Sequence, residues 1–184
     1  MRQINAISSV VFCVLSALAL SSCAYKSNSG YHKKSPANAP TPNYAARLPS
    51  SINTTEKVIV VDPRVHVFGA YDASGNLLRA GLATAGASYC PDVKRACKTK
   101  AGTFRIQSLG AAGCKSSIYP LPNGGAPMPY CMFFNKNQGL HGSAARNVIE
   151  GNASHGCVRV RVQDAEWLRY NFAKIGTKVI VKPY

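Results

Sequence analysis

The segment Ser154-His155-Gly156-Cys157-Val158-Arg159-Val160-Arg161-Val162 is the most informative stretch of this 184-residue chain. From Cys157 onward apolar and basic residues alternate, which predicts a strand with one face directed inward. Just before the strand, a glycine allows the backbone to approach a neighbour closely and to adopt an unusual conformation. A second histidine, His141, precedes the segment and is followed by Gly142. A cysteine with histidines in this arrangement indicates a candidate catalytic site in addition to a strand.

The chemistry that these residue types favour is nucleophilic attack by a thiol. A free thiol is only a few per cent ionised at neutral pH, and it becomes a good nucleophile when an imidazole accepts its proton. His155 shares a face with Cys157 if the segment is extended, whereas His141 can approach from a neighbouring strand or loop. Both histidines are therefore candidate bases for a Cys157 nucleophile, and a base from a second element, as His141 would be, is the more usual arrangement.

Two further roles follow from the same segment. Attack on an amide creates an oxyanion, and backbone N–H groups beside the nucleophile are its natural donors, so we predict those of Gly156 and Cys157. Arg159 lies two residues along the strand, where its guanidinium is placed to bind a substrate carboxylate. The alternative interpretation is a structural cysteine with histidines nearby by chance.

Short apolar stretches on both sides of the segment predict a mostly β sandwich or barrel. Residues 72–76 have turn chemistry and join two of the stretches into a hairpin. One convincing helix is predicted from about Asp164 to Ala173, and Gly176 ends it. Residues 110–129, dense in Gly, Pro and Ser, form a long loop of the kind that is usually a functional lid or disordered. The strands are predicted at residues 57–61, 64–68, 77–85, 103–106, 131–134, 157–162 and 178–181.

The N-terminal part of the chain is predicted to lie outside this domain. Residues 1–22 contain an uncharged apolar run too short to span a membrane, and we interpret them as a secretory signal peptide. The residues Leu20-Ser21-Ser22-Cys23 resemble the lipobox of bacterial lipoproteins, which implies a lipid on Cys23 and, since Ala24 follows, the periplasmic face of the outer membrane. An ordinary signal peptide followed by an incidental cysteine is the alternative. Residues 23–54 are predicted as lipidated N-terminus and flexible tether, and residues 55–184 as the domain.

Cysteine usage agrees with export. Of seven cysteines, Cys13 leaves with the signal peptide and Cys23 carries the lipid, so an odd number remains and one is predicted to be a free reactive thiol. The other four allow three disulfide pairings, of which Cys90–Cys97 with Cys114–Cys131 is the simplest because each closes a short loop. A zinc site built from the same cysteines is the rival, but the chain lacks paired Cys-x-x-Cys spacing, so no metal is predicted.

The charge of the chain is strongly basic, with a formal net charge of +15. A basic surface suits polyanionic partners. Export argues against nucleic acid and favours peptidoglycan stem peptides, which carry many carboxylates. For any single lysine, the alternative to binding a partner is that it only keeps the protein soluble.

The active segment as a whole resembles the signature of the L,D-transpeptidases with a YkuD-like catalytic domain. That signature is a histidine, a spacer, and then Ser/Thr-His-Gly-Cys, an apolar residue and commonly Arg, which matches His141 and residues 154–159. Upstream, Thr99-Lys100-Ala101-Gly102-Thr103-Phe104 is similar to the family's Thr-Pro-x-Gly-x-Phe segment, with Lys100 in place of the usual Pro. The resemblance covers residues 56–184.

This resemblance implies a mainly β sandwich or barrel of the L,D-transpeptidase type with one principal helix, and no cofactor. It implies that Cys157 is acylated by a peptidoglycan tetrapeptide stem, that His141 is the general base, that Ser154, His155 and Gly142 shape the site, and that Arg159 binds substrate. The expected products are 3→3 cross-links, a protein amine attached to the wall, or a carboxypeptidase product if water is the acceptor. The cysteine- and glycine-containing stretch before His141 departs from the family and is expected to form part of the groove or lid.

Two competing functions remain at this stage. A lipoprotein that binds peptidoglycan without turning it over, as an adaptor, needs none of the catalytic residues, although the chain has all of them. A papain-like peptidase is disfavoured, because that class has its cysteine early in the domain at the start of a helix and its histidine far downstream.

Overall fold

The computed structural model describes residues 42–184. The predicted signal peptide, Cys23 and most of the tether lie outside the described residues. Among the described residues, no helix is both long and apolar enough to cross a membrane.

The domain is built on nine strands and one principal helix, which confirms the predicted mainly β fold. The helix comprises α1 (Val162–Trp167) and a π-helical continuation over Leu168–Phe172, and short 3-10 helices lie at Tyr44–Arg47 and Ala145–Asn147. The strands are β1 (Val58–Asp62), β2 (Val67–Tyr71), β3 (Leu77–Thr84), β4 (Gly102–Arg105), β5 (Ser108–Leu109), β6 (Met132–Asn135), β7 (Gln138–Ser143), β8 (Val158–Arg161) and β9 (Lys178–Val181).

The strands form one curled sheet in the order β4-β9-β1-β2-β3-β8-β7-β6-β5. Most neighbours are antiparallel, but β9 runs parallel to β1 and β8 runs parallel to β7. The curl brings the two ends of the sheet together, and the rings of Phe104 in β4 and Phe134 in β6 lie 5.4 Å apart. The parallel pair β7–β8 is the part of the sheet that carries the predicted catalytic residues.

A single main core fills the inside of the curl. Strand β1 is buried along its whole length, as its β-branched composition predicts. The helix covers the core with Ala165, Leu168 and Phe172, and the sheet contributes buried residues such as Phe68 and Leu140. Each fully buried side chain of this size stabilises the fold by about 1.5–3 kcal/mol, so the sheet that holds the site is a rigid support.

Several element boundaries differ from the predictions. The strand predicted at 64–68 begins only at Val67, because His66 adopts a left-handed backbone conformation with φ of 55° and residues 63–66 form a turn. Strands β5 and β7 were not predicted. The helix begins at Val162 instead of Asp164 and becomes π-helical at Leu168.

The domain also starts earlier than residue 55. Tyr44 and Leu48 are buried against Val67, Leu82 and Val148, in a cluster separate from the main core. The end of the predicted tether therefore packs on the domain, and the apolar residues in it supply the contact.

Two disulfides lie within residues 42–184, Cys90–Cys97 with Cα atoms 5.9 Å apart and Cys114–Cys131 with Cα atoms 6.2 Å apart. The second joins the base of the 110–129 loop, which we call the lid, to the residue before β6. Cys157 is the free cysteine among the residues that the structure describes.

The Cys114–Cys131 disulfide is expected to stabilise the domain. Replacing both residues by serine should lower the free energy of unfolding by about 2–4 kcal/mol, because the cross-link restricts the unfolded chain. Urea unfolding of the oxidised proteins measures this change. The matched control is the Cys90→Ser/Cys97→Ser protein, whose shorter loop should cost roughly 1 kcal/mol less. An unchanged unfolding midpoint in the Cys114→Ser/Cys131→Ser protein would show that the lid is not anchored through this bond.

Candidate active site

A cavity of about 600 Å³ lies between the β6–β7–β8 part of the sheet and the lid. Its floor comes from the ends of these strands and its roof from lid residues, so it is a groove covered on one side. The predicted site residues that line it are His141, Ser154, His155, Cys157 and Arg159. The lid contributes Lys115, Ser116, Ser117, Ile118, Tyr119, Ala126, Pro127 and Met128.

The parallel pairing of β7 and β8 places the predicted nucleophile and base on one face. His141 pairs with Arg159, and Leu140 pairs with Val158. Cys157 precedes Val158 and shares the face of Arg159, since side chains alternate along a strand. His141 is therefore the diagonal neighbour of Cys157 on the adjacent strand. The predicted base therefore lies on a different strand from the predicted nucleophile.

The hydrogen bond of His141 fixes which nitrogen is available. Nδ1 lies 2.8 Å from the carbonyl oxygen of Gly142. A carbonyl can only accept, so in the neutral ring Nδ1 carries the proton and Nε2 has the free lone pair. Gly142 thus orients the imidazole, and its own N–H donates to Pro129 O at 2.8 Å.

Both groups are held in their neutral forms. Burial lowers the pKa of His141 below its ordinary value, and the charge of Arg159 acts in the same direction, although the hydrogen bond to Gly142 opposes them. Burial raises the pKa of the Cys157 thiol, and the hydrogen bond from Gly139 and the charge of Arg159 only partly offset it. The Sγ donates to the carbonyl oxygen of Asn137 at 3.4 Å. At neutral pH the cavity therefore holds a thiol and a neutral imidazole, a pair that suits transfer of the thiol proton during attack.

The backbone at Gly156 differs from the predicted oxyanion arrangement. Its N–H donates to Ser154 Oγ at 3.0 Å, and Ser154 Oγ in turn donates to the carbonyl oxygen of Cys157. The Gly156 N–H is therefore engaged within the loop in this structure and would have to leave Ser154 Oγ to act as an oxyanion donor. The Cys157 N–H remains the candidate donor. Gly156 and the buried Ser154 set the shape of the turn that presents Cys157.

His155 is bound by groups outside the sheet. Its Nε2 lies 2.7 Å from Asp92 Oδ2, in the loop closed by Cys90–Cys97. Its ring packs against Tyr119 of the lid with centroids 4.5 Å apart, and Arg95 donates to the Tyr119 hydroxyl at 3.0 Å. These contacts join the disulfide loop, the turn before Cys157 and the lid through His155.

Asp92 and His155 also approach Cys90, with one ligand-type atom of each within 4.8 Å of the others. The sulfur of Cys90 is bonded to Cys97, so it has no thiolate to offer a metal ion. These three residues therefore do not constitute a ligand set in the disulfide-bonded protein.

Arg159 is half-buried in the cavity, and its side chain makes no hydrogen bond or ion pair with any residue of the described range 42–184. Burial lowers the pKa of its guanidinium, which remains charged at neutral pH. A partly desolvated cation without a partner is placed to receive an anionic group of a ligand.

Comparison with known proteins identifies the domain. A family model described as the L,D-transpeptidase catalytic domain, YkuD, matches residues 56–181. The chain belongs to this family. A search of curated protein sequences found no significant match.

Solved structures of L,D-transpeptidases share the fold. One from Xylanimonas cellulosilytica is 23% identical, with a TM-score of 0.61 over 73% of this chain and 64% of its own. One from Mycobacterium smegmatis is 23% identical, with a TM-score of 0.56 over 70% and 59%. L,D-transpeptidase 3 from Mycobacterium tuberculosis, in complex with a faropenem-derived adduct, is 23% identical, with a TM-score of 0.55 over 69% and 60%. The chain therefore spans less than two thirds of the length of each of these structures.

Within this L,D-transpeptidase domain, several supporting residues were not found from the sequence. Buried Thr99 accepts from the N–H of Gly86 at 2.9 Å and donates to the carbonyl of Gly156 at 2.8 Å. Gln138 accepts from the N–H of Lys100 at 3.0 Å and donates to Lys98 O at 3.1 Å. Thr99 lies in the segment that resembles the family's Thr-Pro-x-Gly-x-Phe pattern, which was the available signal for it.

Replacing Gly156 by alanine should disturb the transpeptidase site more than its small size suggests. Its φ of 127° is strained for any residue with a Cβ, and the new carbon would lie 3.1 Å from Gln138 Nε2. We expect a loss of about 1–3 kcal/mol in the free energy of unfolding, measured by urea denaturation. Gly113→Ala is the control, since its Cβ meets no atom within 4 Å. Equal stability of the two variants would contradict a constrained turn at Gly156.

Proposed function

We propose that the domain is a cysteine acyltransferase that acts on peptidoglycan tetrapeptide stems. The observation that carries the proposal is the free thiol of Cys157 in a cavity that it shares with His141, on the adjacent parallel strand. Membership of the L,D-transpeptidase family supports the substrate class. The bond cleaved would join the third residue of the stem, a diamino acid at its L-centre, to the terminal D-Ala.

In the first half-reaction, Cys157 Sγ attacks the carbonyl carbon of that bond while His141 Nε2 takes the thiol proton. The resulting oxyanion is stabilised by backbone donors, for which the Cys157 N–H is the candidate. When the tetrahedral intermediate collapses, the carbon–nitrogen bond breaks and His141 gives its proton to the departing D-Ala amine. The enzyme is left as a thioester, and His141 is neutral again.

In the second half-reaction, an acceptor attacks the thioester carbon. His141 takes a proton from the acceptor and returns it to Sγ as the carbon–sulfur bond breaks. An amine of a second stem gives a 3→3 cross-link, a protein amine gives a protein attached to the wall, and water gives a carboxypeptidase product.

The proposal is tested by incubating residues 24–184 with purified muropeptides and identifying the products by mass spectrometry. We expect loss of D-Ala together with dimers or tripeptides, and the product class names the acceptor. The matched control is the same protein with its free thiol alkylated by iodoacetamide. Unchanged muropeptides with a protein whose Cys157 thiol is shown to be reduced would favour a non-catalytic binding protein.

We further propose that the chain is a lipoprotein anchored by Cys23 on the periplasmic face of the outer membrane. The motif before Cys23 and the two disulfides of the domain support an exported protein. Radiolabelled palmitate should be incorporated into the wild-type chain and not into Cys23→Ala, which should leave the membrane fraction. Equal fractionation of the two proteins would exclude the anchor.

A further inference from the structure

Charged side chains are distributed unevenly over the domain, and unpaired positive charge is found at the active-site cavity. All seven acidic residues of the chain lie in the described part, and each is engaged by a neighbour. Four of them form ion pairs with lysine or arginine, namely Glu56, Asp62, Glu150 and Asp164. Asp92 binds His155, Asp72 accepts from the N–H groups of Ser74 and Asn76, and Glu166 accepts from Tyr130. The excess positive charge of the domain therefore lies on lysines and arginines that have no acidic partner.

Four of those cations line the cavity, and we call them the cationic rim: Arg95, Lys115, Lys136 and Arg159. No aspartate or glutamate lies among the lining residues. Within the described range, none of the four makes an ion pair, and Arg95 has only the neutral Tyr119 hydroxyl as a side-chain partner. The rim thus presents positive charge that the domain itself does not neutralise.

The rim residues come from several elements of the domain that meet at the cavity of Cys157. Arg159 lies on β8, on the face of Cys157, and Lys136 lies in the β6–β7 turn beside Asn137, whose carbonyl oxygen is 3.4 Å from the Cys157 sulfur. Arg95 comes from the disulfide loop and Lys115 from the lid. A ligand in the cavity that holds Cys157 therefore meets cations contributed by the sheet, the disulfide loop and the lid.

The rim also offers only hydrogen-bond donors, because lysine and arginine have no acceptor atom. A carboxylate satisfies such donors with both oxygens and gains Coulomb energy, most of all at the half-buried Arg159, since Arg95, Lys115 and Lys136 are exposed and more strongly screened by water. A carboxamide has the same shape but has no charge, and its NH₂ group faces donors. The rim therefore distinguishes the free form of a stem from its amidated form by charge and hydrogen bonding, and not by size.

We infer that the cationic rim selects peptidoglycan stems whose side carboxylates are free over stems in which they are amidated. This inference rests on the proposed function and names the substrate class of the same site. Solubility alone does not account for the rim, because the cations enclose a cavity whose lining has no acid.

The test compares two donors, a tetrapeptide stem with free carboxylates and the same stem with its diamino-acid side carboxylate converted to the carboxamide. Wild-type kcat/KM is expected to be about tenfold higher for the free form. Lys115→Gln and Lys136→Gln should each lower kcat/KM about threefold for the free form and by a smaller factor for the amidated form, so that the ratio of the two values falls. Lys174→Gln is the matched control, because this exposed lysine lies outside the lining of the cavity. Raising the salt concentration to about 1 M should reduce the preference.

Binding of both stems to the Cys157→Ala protein, measured by calorimetry, separates the inference from the proposed function. Tighter binding of the free stem, weakened by Lys136→Gln, supports the rim even without turnover. Equal or tighter binding of the amidated stem overturns the inference and leaves the transferase proposal intact. If neither stem binds, the inference is overturned. If the wild type does not turn over a stem that binds, the result counts against the proposed transferase activity and not against the rim.

Discussion

Cys157→Ala is expected to abolish the release of D-Ala from tetrapeptide stems. Removal of the nucleophile from a covalent mechanism typically lowers the rate by about 10⁴–10⁶-fold, and here no second free thiol lies in the described part of the chain. The measurement is single-turnover release of D-Ala by chromatography, with wild type and variant at equal concentration.

The structure of this variant should be intact, which makes the result interpretable. Cys157 is half-buried at the start of β8, and losing one sulfur atom there should change the free energy of unfolding by no more than about 1 kcal/mol. Cys157→Ser is a useful companion, since it keeps a hydroxyl that is a poor nucleophile beside a neutral imidazole. D-Ala release by Cys157→Ala at even one tenth of the wild-type rate would exclude the covalent mechanism.

His141→Gln is expected to lower kcat by about 10²–10⁴-fold, because it removes the group that takes the thiol proton. Glutamine keeps a donor for the Gly142 carbonyl and has no basic nitrogen, so the change isolates proton transfer. Thioester formation under single-turnover conditions, followed by intact mass, measures the loss. His155→Gln is the matched control, since His155 binds Asp92 and should affect the rate far less.

The pH dependence of kcat/KM gives the same assignment a second readout. The base must be neutral, and burial holds the pKa of His141 below its ordinary value of about 6.5. Activity should therefore be lost as the pH falls through a value under 6.5 and be flat near pH 7–8, where the thiol is still protonated. In His141→Gln, the residual kcat/KM should rise about tenfold per pH unit. Without the imidazole, the Cys157 thiol must lose its proton to solvent before it attacks, and the thiolate fraction increases about tenfold with each unit of pH. If His141→Gln still lost activity at low pH as the wild type does, that loss would have to be assigned to a group other than His141.

The parts of the fold that sequence predicted well are those in which composition and burial agree. Strands β1 and β9 are β-branched runs, and the helix after β8 has its apolar residues on one face. Strand β7 was missed because Gln138 to Ser143 has two glycines and no alternation, although it is buried between two other strands. Its burial comes from partners that are distant in sequence, and no local pattern records them.

The candidate site shows the same division. The residue types and their order were sufficient to nominate Cys157 and His141, since the chemistry needs a thiol and a base. The hydrogen bond from the Gly156 N–H to Ser154 Oγ was not predictable, because it depends on the conformation of the turn. Asp92 and Tyr119 were also missed, since their contacts with His155 arise from two loops that the sheet brings together.

The central claim, acylation of Cys157, is tested most directly by intact mass spectrometry of the protein after incubation with a carbapenem, followed by peptide mapping. The β-lactam ring opens as it acylates, so nothing is lost and the adduct keeps the full mass of the drug. We predict one adduct per chain, on the peptide that contains Cys157, with no adduct on Cys157→Ala. An unmodified mass for wild type with a reduced Cys157 thiol, or an adduct on any other residue, would contradict the account.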